Sequence, residues 1–391
     1  MGCGRRLLPL KQTATLFYKV SIFIDNLNMH TISDEFSLPF WEGKPQDFPY
    51  KDTLLWIKKL QNNVYCYFYP TWNDVDNLPD NYDYYIILYH NETLINLEWL
   101  ESQRKKVDGT FVVLHNGFNY DYNLKNCHFF RYINWHENLK LMEKIWGAVE
   151  PKFDNKKYKF SAVCNRVEQF KIFIITKLLE ECRDDSHLVL NNWLEDKNVN
   201  YWLPLSDNLI LDNLTNTFKR KYLNTVIKDS FGKKLVQNTQ RYNSNPYQPM
   251  YTDTAIHFSL QNFSMSQYDN FIHPGPEIDE KIFKCLLSGT PFIPCGQFDI
   301  INSLRKLGFV FDYKFIDLSF DNLVPEDERF ESICKQIDNL KYLTINDIIS
   351  DTKKSTMENW KYIIRGGFFE NCERINKNTE EKILDLIVGK R

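Results

Sequence analysis

The 391-residue sequence predicts an α/β protein made of two Rossmann-like domains facing across a cleft. Three observations predict it. Runs of β-branched and aromatic residues, such as YDYYIILY at 82–89 and GTFVVL at 109–114, alternate with stretches of helical spacing, the pattern of parallel βαβ units. Such units occur on both sides of a polar segment, PKFDNKKYK at 151–159, which reads as a linker. The stretch 278–307 compresses helix, turn, strand, turn and helix into one short span.

Taken in order, Thr13 to Asp25 reads as a strand and 26–50 as a long loop. Asp52 to Leu60 follows as a helix, Val64 to Tyr69 as a strand and Asn73 to Asn81 as a turn-rich segment. Tyr82 to Tyr89, Leu94 to Arg104 and Gly109 to Leu114 form strand, helix and strand, and Trp135 to Pro151 is helical, then polar. The second domain opens with a strand at Phe160 to Cys164 and a helix at Phe170 to Cys182. Segment 188–240 is less readable and holds the basic runs Lys219-Arg220-Lys221 and Lys233-Lys234; a turn-rich loop then leads to the strand Ala255 to Leu260.

In the 278–307 span, Ile278, Ile282, Phe283, Leu286 and Leu287 give a buried helical stripe. Gly289 stands where a left-handed residue ends a helix, and Pro291 to Pro294 forms a short buried strand. Gly296 turns the chain into a second helix with Phe298, Ile301, Leu304 and Leu307 on one face. Helices at Ile333 to Leu343, Ile345 to Ser350 and Thr379 to Leu386 finish the chain. The expected domains are 1–150, 151–345 and a set of C-terminal helices, 346–391, packing back across them.

With 43% hydrophobic and 15% aromatic residues, sizeable cores are within reach. A net charge of −3 offers no global case for nucleic acid and leaves only a local basic groove. Nine cysteines are scattered without a CxxC pair, which argues against a disulfide framework and a structural zinc site. No apolar run reaches ~18 residues. The start, MGCGRRLLPL, is too short for a signal peptide's apolar core, and Arg6 breaks the myristoylation pattern. The expectation is a cytoplasmic protein with no membrane partner.

Open parallel sheets bind ligands beyond the carboxyl ends of their strands. That rule selects His90-Asn91-Glu92 and His115-Asn116-Gly117, with Glu92 and His115 as candidates for a general base. It selects Asn165-Arg166 after the strand at 160–164, because a guanidinium can fork onto phosphate oxygens. It also selects Glu280 and Lys281. A helix start favours an anion, Lys281 adds a full positive charge, and Glu280 is suited to ribose hydroxyls. Each residue has a plainer reading, as a polar loop, a surface arginine or a solvated charge pair. Asp74-Val75-Asp76 has the spacing of a Mg²⁺ or Mn²⁺ ligand pair, and its residues are also plain turn formers; a metal is not expected.

HFSLQNFS at 257–264, followed by IDEKIFKCLLSGTPFIPCG at 278–296, resembles the donor-site signature of the α-1,3-fucosyltransferase-like glycosyltransferases, family 10. Gln261-Asn262 stands for the family's Glu-Asn, and Asp279-Glu280-Lys281 for its Thr-Glu-Lys. The tail LRKLGFVFDYKFIDLSFDNL, with Arg329 beyond it, is similar to viral and phage relatives. Asp317 to Asp321 replaces their Asp-Glu-x-Tyr-Asp element, with Leu318 for Glu and Phe320 for Tyr. KFSAVCNRVEQFKIFIITKLLEE adds a third match, and the resemblance covers about half the chain.

The resemblance implies a GT-B enzyme that inverts at the anomeric carbon without a metal. Its co-substrate would be a UDP- or GDP-linked sugar. Lys281 and Arg166 would hold the diphosphate, Glu280 the ribose, and Asn165, Gln261, Asn262 and Gly296 would line the donor. A carboxylate of the first domain takes the base role in that family, which favours Glu92. Acceptors consistent with a viral or phage origin are a glycan, a protein, or hydroxylated cytosine in DNA. Gln261 in place of a glutamate leaves open a second class, an inactive sugar-nucleotide or nucleic-acid binding protein.

Overall fold

The computed structural model describes residues 21–23, 64–69, 78, 80, 82–89, 95–115, 124–133, 140, 143–144, 146–164, 169–190, 246–261, 267–268, 271–272, 276, 278–323 and 326–388. The expected helix at 52–60 lies outside them, as does most of the expected strand at 13–25. The protein is α/β, with two sheets of mainly parallel strands, compatible with a Rossmann-like class. The chain divides into two compact units. One comprises Met1–His115, Asp121–Tyr132 and Thr379–Arg391; the other comprises Asn116–Tyr120 and Ile133–Asn378.

The first unit holds a five-stranded sheet. Its order is β1 (Ser21–Phe23), β2 (Val64–Tyr69), β3 (Tyr84–Tyr89), β4 (Thr110–His115) and β5 (Cys127–Arg131). β1 runs antiparallel to β2, and the remaining neighbours are parallel. Helix α1 (Leu97–Lys106) connects β3 to β4. Register sets Tyr85 beside Phe111 and Ile87 beside Val113, so these four share a face. There they pack with Trp99, Leu100 and Val107. Tyr85 and Phe111 stack at 5.1 Å. Gly109 enters β4 so closely under Tyr85 that a Cβ would lie 2.5 Å from the ring. Every residue of β4 is buried, as expected for a parallel strand covered on both sides.

In the second unit β6 (Tyr158–Cys164), α2 (Gln169–Glu181), β7 (Ser186–Leu190), α3 (Pro249–Thr252) and β8 (Thr254–Leu260) come first. α4 (Glu280–Ser288), β9 (Phe292–Cys295), α5 (Ile300–Lys306), α6 (Glu326–Leu340), α7 (Ile345–Ile364) and α8 (Gly367–Val388) follow. The sheet order is β9, β8, β6, β7, all parallel. One face carries Phe160, Ala162, Ile256 and Phe258 against Ile174 and Leu178 of α2 and Ile333 and Ile337 of α6. The other carries Val163, Val189 and Phe292 against Phe283 and Leu287 of α4, Ile301 and Leu304 of α5, and Phe368 of α8. Lys177 and Lys341 tie α2 to α6, each reaching Glu181 and Asp338.

The expected helices at 345–350 and 379–386 are parts of much longer ones, α7 and α8. Strands β5 and β7 are elements the sequence reading did not assign. Cys127, Cys164, Cys182, Cys285, Cys295, Cys334 and Cys372 are free thiols, and among the described residues no helix is long and apolar enough to cross a membrane.

Candidate functional site

The site is built on the carboxyl ends of β8 and β9 and the helices that start beside them. α4 leads directly into β9, and it opens as the sequence predicted, with Glu280 and Lys281 in its first turn. Asp279 is the N-cap. Its carboxylate accepts from the N–H groups of Lys281 at 3.1 Å and Ile282 at 3.0 Å. The expectation that these amides stand open to a phosphate is therefore corrected: the chain supplies its own anion there, as N-cap aspartates do. An incoming phosphoryl group would meet the lysine side chains instead.

The charges of this turn are closely matched. Lys281 Nζ lies 3.3 Å from Asp279 and 3.4 Å from Glu280. Burial raises the Asp279 carboxyl above its ordinary range. Burial also works against the Glu280 charge, but Lys281 and Lys284 outweigh it and hold that carboxyl low. Lys284, one turn on, has its own pKa lowered by burial. Gly289 closes α4 at φ 62°, with a Cβ position only 2.1 Å from Pro151 Cγ.

At the strand ends, Gln261 is buried and its N–H donates to the Cys295 carbonyl at 3.0 Å. Its side-chain oxygen accepts from Gln297 N at 3.1 Å. Gln261 thus clips the ends of β8 and β9 together. Gly296 follows β9, and its carbonyl accepts from Arg329 Nε at 2.9 Å. Arg329, the largest fully buried side chain described, also donates to the Leu323 carbonyl at 2.6 Å. Asp321 reaches back across nineteen residues to the first turn of α5, where its carboxylate accepts from Asn302 N at 3.1 Å. Burial pushes its carboxyl up to about 6, with the amides at this helix start pulling the other way.

His115 closes β4 as expected and is fully buried, and its carbonyl accepts from Tyr132 N at 2.8 Å. Glu92, Asn165, Arg166, Asn262, Asp74 and Asp76 lie outside the described residues. Within the second unit, then, Gln261 and Gly296 directly follow the neighbouring strands β8 and β9, and Glu280 and Lys281 open α4, the helix that leads into β9. Among the described residues no group of three or more His, Cys, Asp or Glu is arranged to hold a metal ion.

The sequence reading missed a polar row across the same sheet. Register aligns His187, Ser161 and His257 on the face that α4 covers. Ser161 Oγ donates to the Met250 carbonyl at 2.5 Å and lies 2.8 Å from His257 Nδ1. A hydroxyl has one proton, so the ring must donate, which fixes His257 as the Nδ1–H tautomer. Burial, reinforced by Lys284 and His187, depresses its pKa to about 3. The missed Lys284 had one legible signal, its i,i+4 spacing from Glu280. No protein-family model matches the chain, and no curated protein matches it.

Proposed function

We propose that the protein is an inverting, metal-independent glycosyltransferase of the GT-B type. It would move a sugar from a UDP- or GDP-linked donor to a hydroxyl of a glycan, a protein or a hydroxylated cytosine. The observation that carries this reading is the charged first turn, Glu280 and Lys281, of the helix α4 that leads into β9, together with Gln261 and Gly296 directly after β8 and β9 of a parallel sheet. Such edges are where open α/β sheets take nucleotides.

In this reading Lys281 and Arg166 neutralise the departing diphosphate, and Glu280 receives the ribose hydroxyls. Asn165, Gln261, Asn262 and Gly296 line the donor. The reaction is a single displacement at the anomeric carbon. Its transition state calls for stabilised charge on the leaving group and a base, Glu92 or His115, on the acceptor oxygen. A domain at 151–345 would carry the donor and a domain at 1–150 the acceptor, with 346–391 packing back across them.

One observation favours a second reading, a binding protein without turnover. Gln261 stands where the resembling family has a glutamate, and it is buried and bonded to Gln297 N. A side chain so engaged is a structural clip and offers no carboxylate to a developing positive charge.

A thermal-shift screen of UDP, GDP, CMP and their sugars tests both readings. A ligand that binds the native state raises the melting temperature, by about 2.7 kcal/mol of stability at a hundred times Kd. One nucleotide should stabilise the wild type and lose most of its effect in Lys281→Ala. Silence from every nucleotide would reject the donor site. Binding without turnover of any nucleotide sugar would leave the second reading.

A further inference from the structure

The turn between β9 and α5, Gly296–Asp299, is held from three sides. Gln297 N donates to Gln261 Oε1 at 3.1 Å, and the Gly296 carbonyl accepts from Arg329 Nε at 2.9 Å. Asp299 N donates to the Asp321 carbonyl at 2.6 Å. Asp299 itself stands at φ 61° and ψ 18°. That left-handed conformation is uncommon for a residue with a side chain and persists where neighbours hold it.

Asn302 joins two carboxylates at this point. Its N–H donates to Asp321 Oδ2 at 3.1 Å, and its side-chain amide donates to Asp299 Oδ1 at 3.1 Å and Asn322 Oδ1 at 2.7 Å. Asp321 is only 2% exposed. The charged side chains described around it are engaged elsewhere. On α5, Lys306 lies 3.6 Å from Asp299, and Arg305 donates to Asn302 Oδ1 and the Phe311 carbonyl. On α6, Arg329 donates to the Gly296 and Leu323 carbonyls. Asp317, which caps the short 3-10 turn Leu318–Asn322 that carries Asp321, accepts from Ser319 N and Oγ. Burial and the second carboxylate, Asp299, both disfavour the charged form of Asp321. A protonated carboxyl keeps a carbonyl oxygen for the Asn302 N–H, so the proton removes the charge and spares that bond. An ionised carboxylate gains by reaching water. To reach it Asp321 lets go of Asn302 N, and its own carbonyl is the acceptor that holds Asp299.

We propose that Asp321 is a proton-controlled latch on the turn 296–302, held closed by its proton and loosened by its ionisation. The sign follows from the two states. The closed state keeps the carboxyl up at about 6, while an Asp321 open to water returns to about 3.9. The proton therefore favours closure, and opening grows as the pH rises from about 4 to about 6, then levels off. Gly296 lies in this turn, so any effect on a nucleotide rests on the donor-site reading; the latch itself does not.

Native-state amide hydrogen exchange of the full chain between about pH 4.5 and 7, corrected for the intrinsic pH dependence of exchange, tests it. Protection of the wild-type segment 296–302 should fall by about tenfold from pH 4.5 to 5.5 and flatten above about pH 6.5. Asp321→Asn keeps an acceptor for Asn302 N and cannot ionise, so its protection should not change with pH. Asp299→Asn keeps an oxygen for Asn302 and tolerates the left-handed backbone. With the neighbouring charge gone, its protection should fall as in the wild type but flatten at a lower pH, and this arm decides the matter if Asp321→Asn does not fold. Flat protection in the wild type, an unchanged slope in Asp321→Asn, or an unshifted curve in Asp299→Asn overturns the latch. So does an equal slope in β6 and β8, which would make the event unfolding of the whole unit. None of these arms contains a nucleotide, so failure of the latch leaves the donor reading intact, and failure of every nucleotide to bind leaves the latch intact.

Discussion

At the scale of single residues, two buried titratable groups in the second unit work in opposite directions. His257 is neutral, with a pKa depressed to about 3 by burial and by Lys284 and His187. The unfolded chain binds that proton below about pH 6.5, while the native state refuses it. Its contribution is therefore present above pH 6.5 and lost as the pH falls. Asp321 has the reverse sign. Burial raises it to about 6, so the native state takes up a proton that the unfolded chain, near pH 4, does not. That contribution is full below pH 4 and lost as the pH rises through 6. Between about pH 4 and 6 the two slopes oppose, each about 1.4 kcal/mol per pH unit. Asp321→Asn keeps an oxygen for the α5 amides and removes the titration. Its urea-unfolding stability should therefore fall more steeply than the wild type's from pH 6 to 4.5, by about 1.4 kcal/mol per unit. Parallel curves for the two proteins would mean that Asp321 is not held protonated by its burial.

At the scale of elements, the ends of helices decide more than their middles. α4 is capped by Asp279 at its start and by Gly289 at its end. The cap of α5 is not local: Asp299 makes no side-chain cap, and Asp321, nineteen residues beyond the Asn302 amide it accepts from, takes that place. Two glycines with similar backbone angles separate conformation from space. Gly147 has φ 69° with nothing within 4 Å of its Cβ position, and Gly289 has φ 62° with Pro151 Cγ at 2.1 Å. Gly147→Ala should cost only the left-handed penalty, about 1–2 kcal/mol. Gly289→Ala should add the clash and cost about 3 kcal/mol or more. Chemical denaturation of the two variants measures the difference. Equal losses would show that Pro151 moves aside freely.

At the scale of the whole molecule, α8 serves both units in turn. Up to Asn378 it belongs to the second unit, where Asn376 brackets Ile133 by accepting from its N–H and donating to its carbonyl. From Thr379 it belongs to the first. There Thr379 donates to the Arg131 carbonyl at 2.8 Å, Glu380 accepts from the Tyr132 hydroxyl at 2.9 Å, and the Ile387 carbonyl accepts from the Tyr84 hydroxyl at 3.1 Å. Ile383 and Ile387 are fully buried. Burying two such side chains contributes about 3–6 kcal/mol. A chain ending at Asn378 should therefore lose amide-exchange protection in β3, β4 and β5 while β6, β8 and β9 keep theirs. Uniform loss across both sheets would show that the two units unfold as one.

By itself the sequence determined the elements whose buried faces are apolar. The stripe of α4, the turn at Gly289 and the continuous burial of β8 and β9 are local consequences of side-chain period and backbone freedom, and they stand where the residues indicated. The first turn of α4, and with it Glu280 and Lys281, was legible for the same reason. What escaped was set by contacts distant in sequence. The buried face of α7 is Ile348, Thr352, Ser355, Thr356, Asn359 and Ile363, mostly polar, so no apolar period announces it. Two of those groups bond the chain they pack on: Ser355 accepts from Asp312 N, and Asn359 both accepts from Val310 N and donates to its carbonyl. β5 and β7 are short strands that exist because neighbours offer them a ladder. The tertiary structure alone decided that Asp279 fills the amides at the head of α4. It alone decided that Gln261 and Arg329 hold strand ends. The physical reason is that a hydrogen bond or an ion pair belongs to two groups, and the sequence carries the groups without the distances between them.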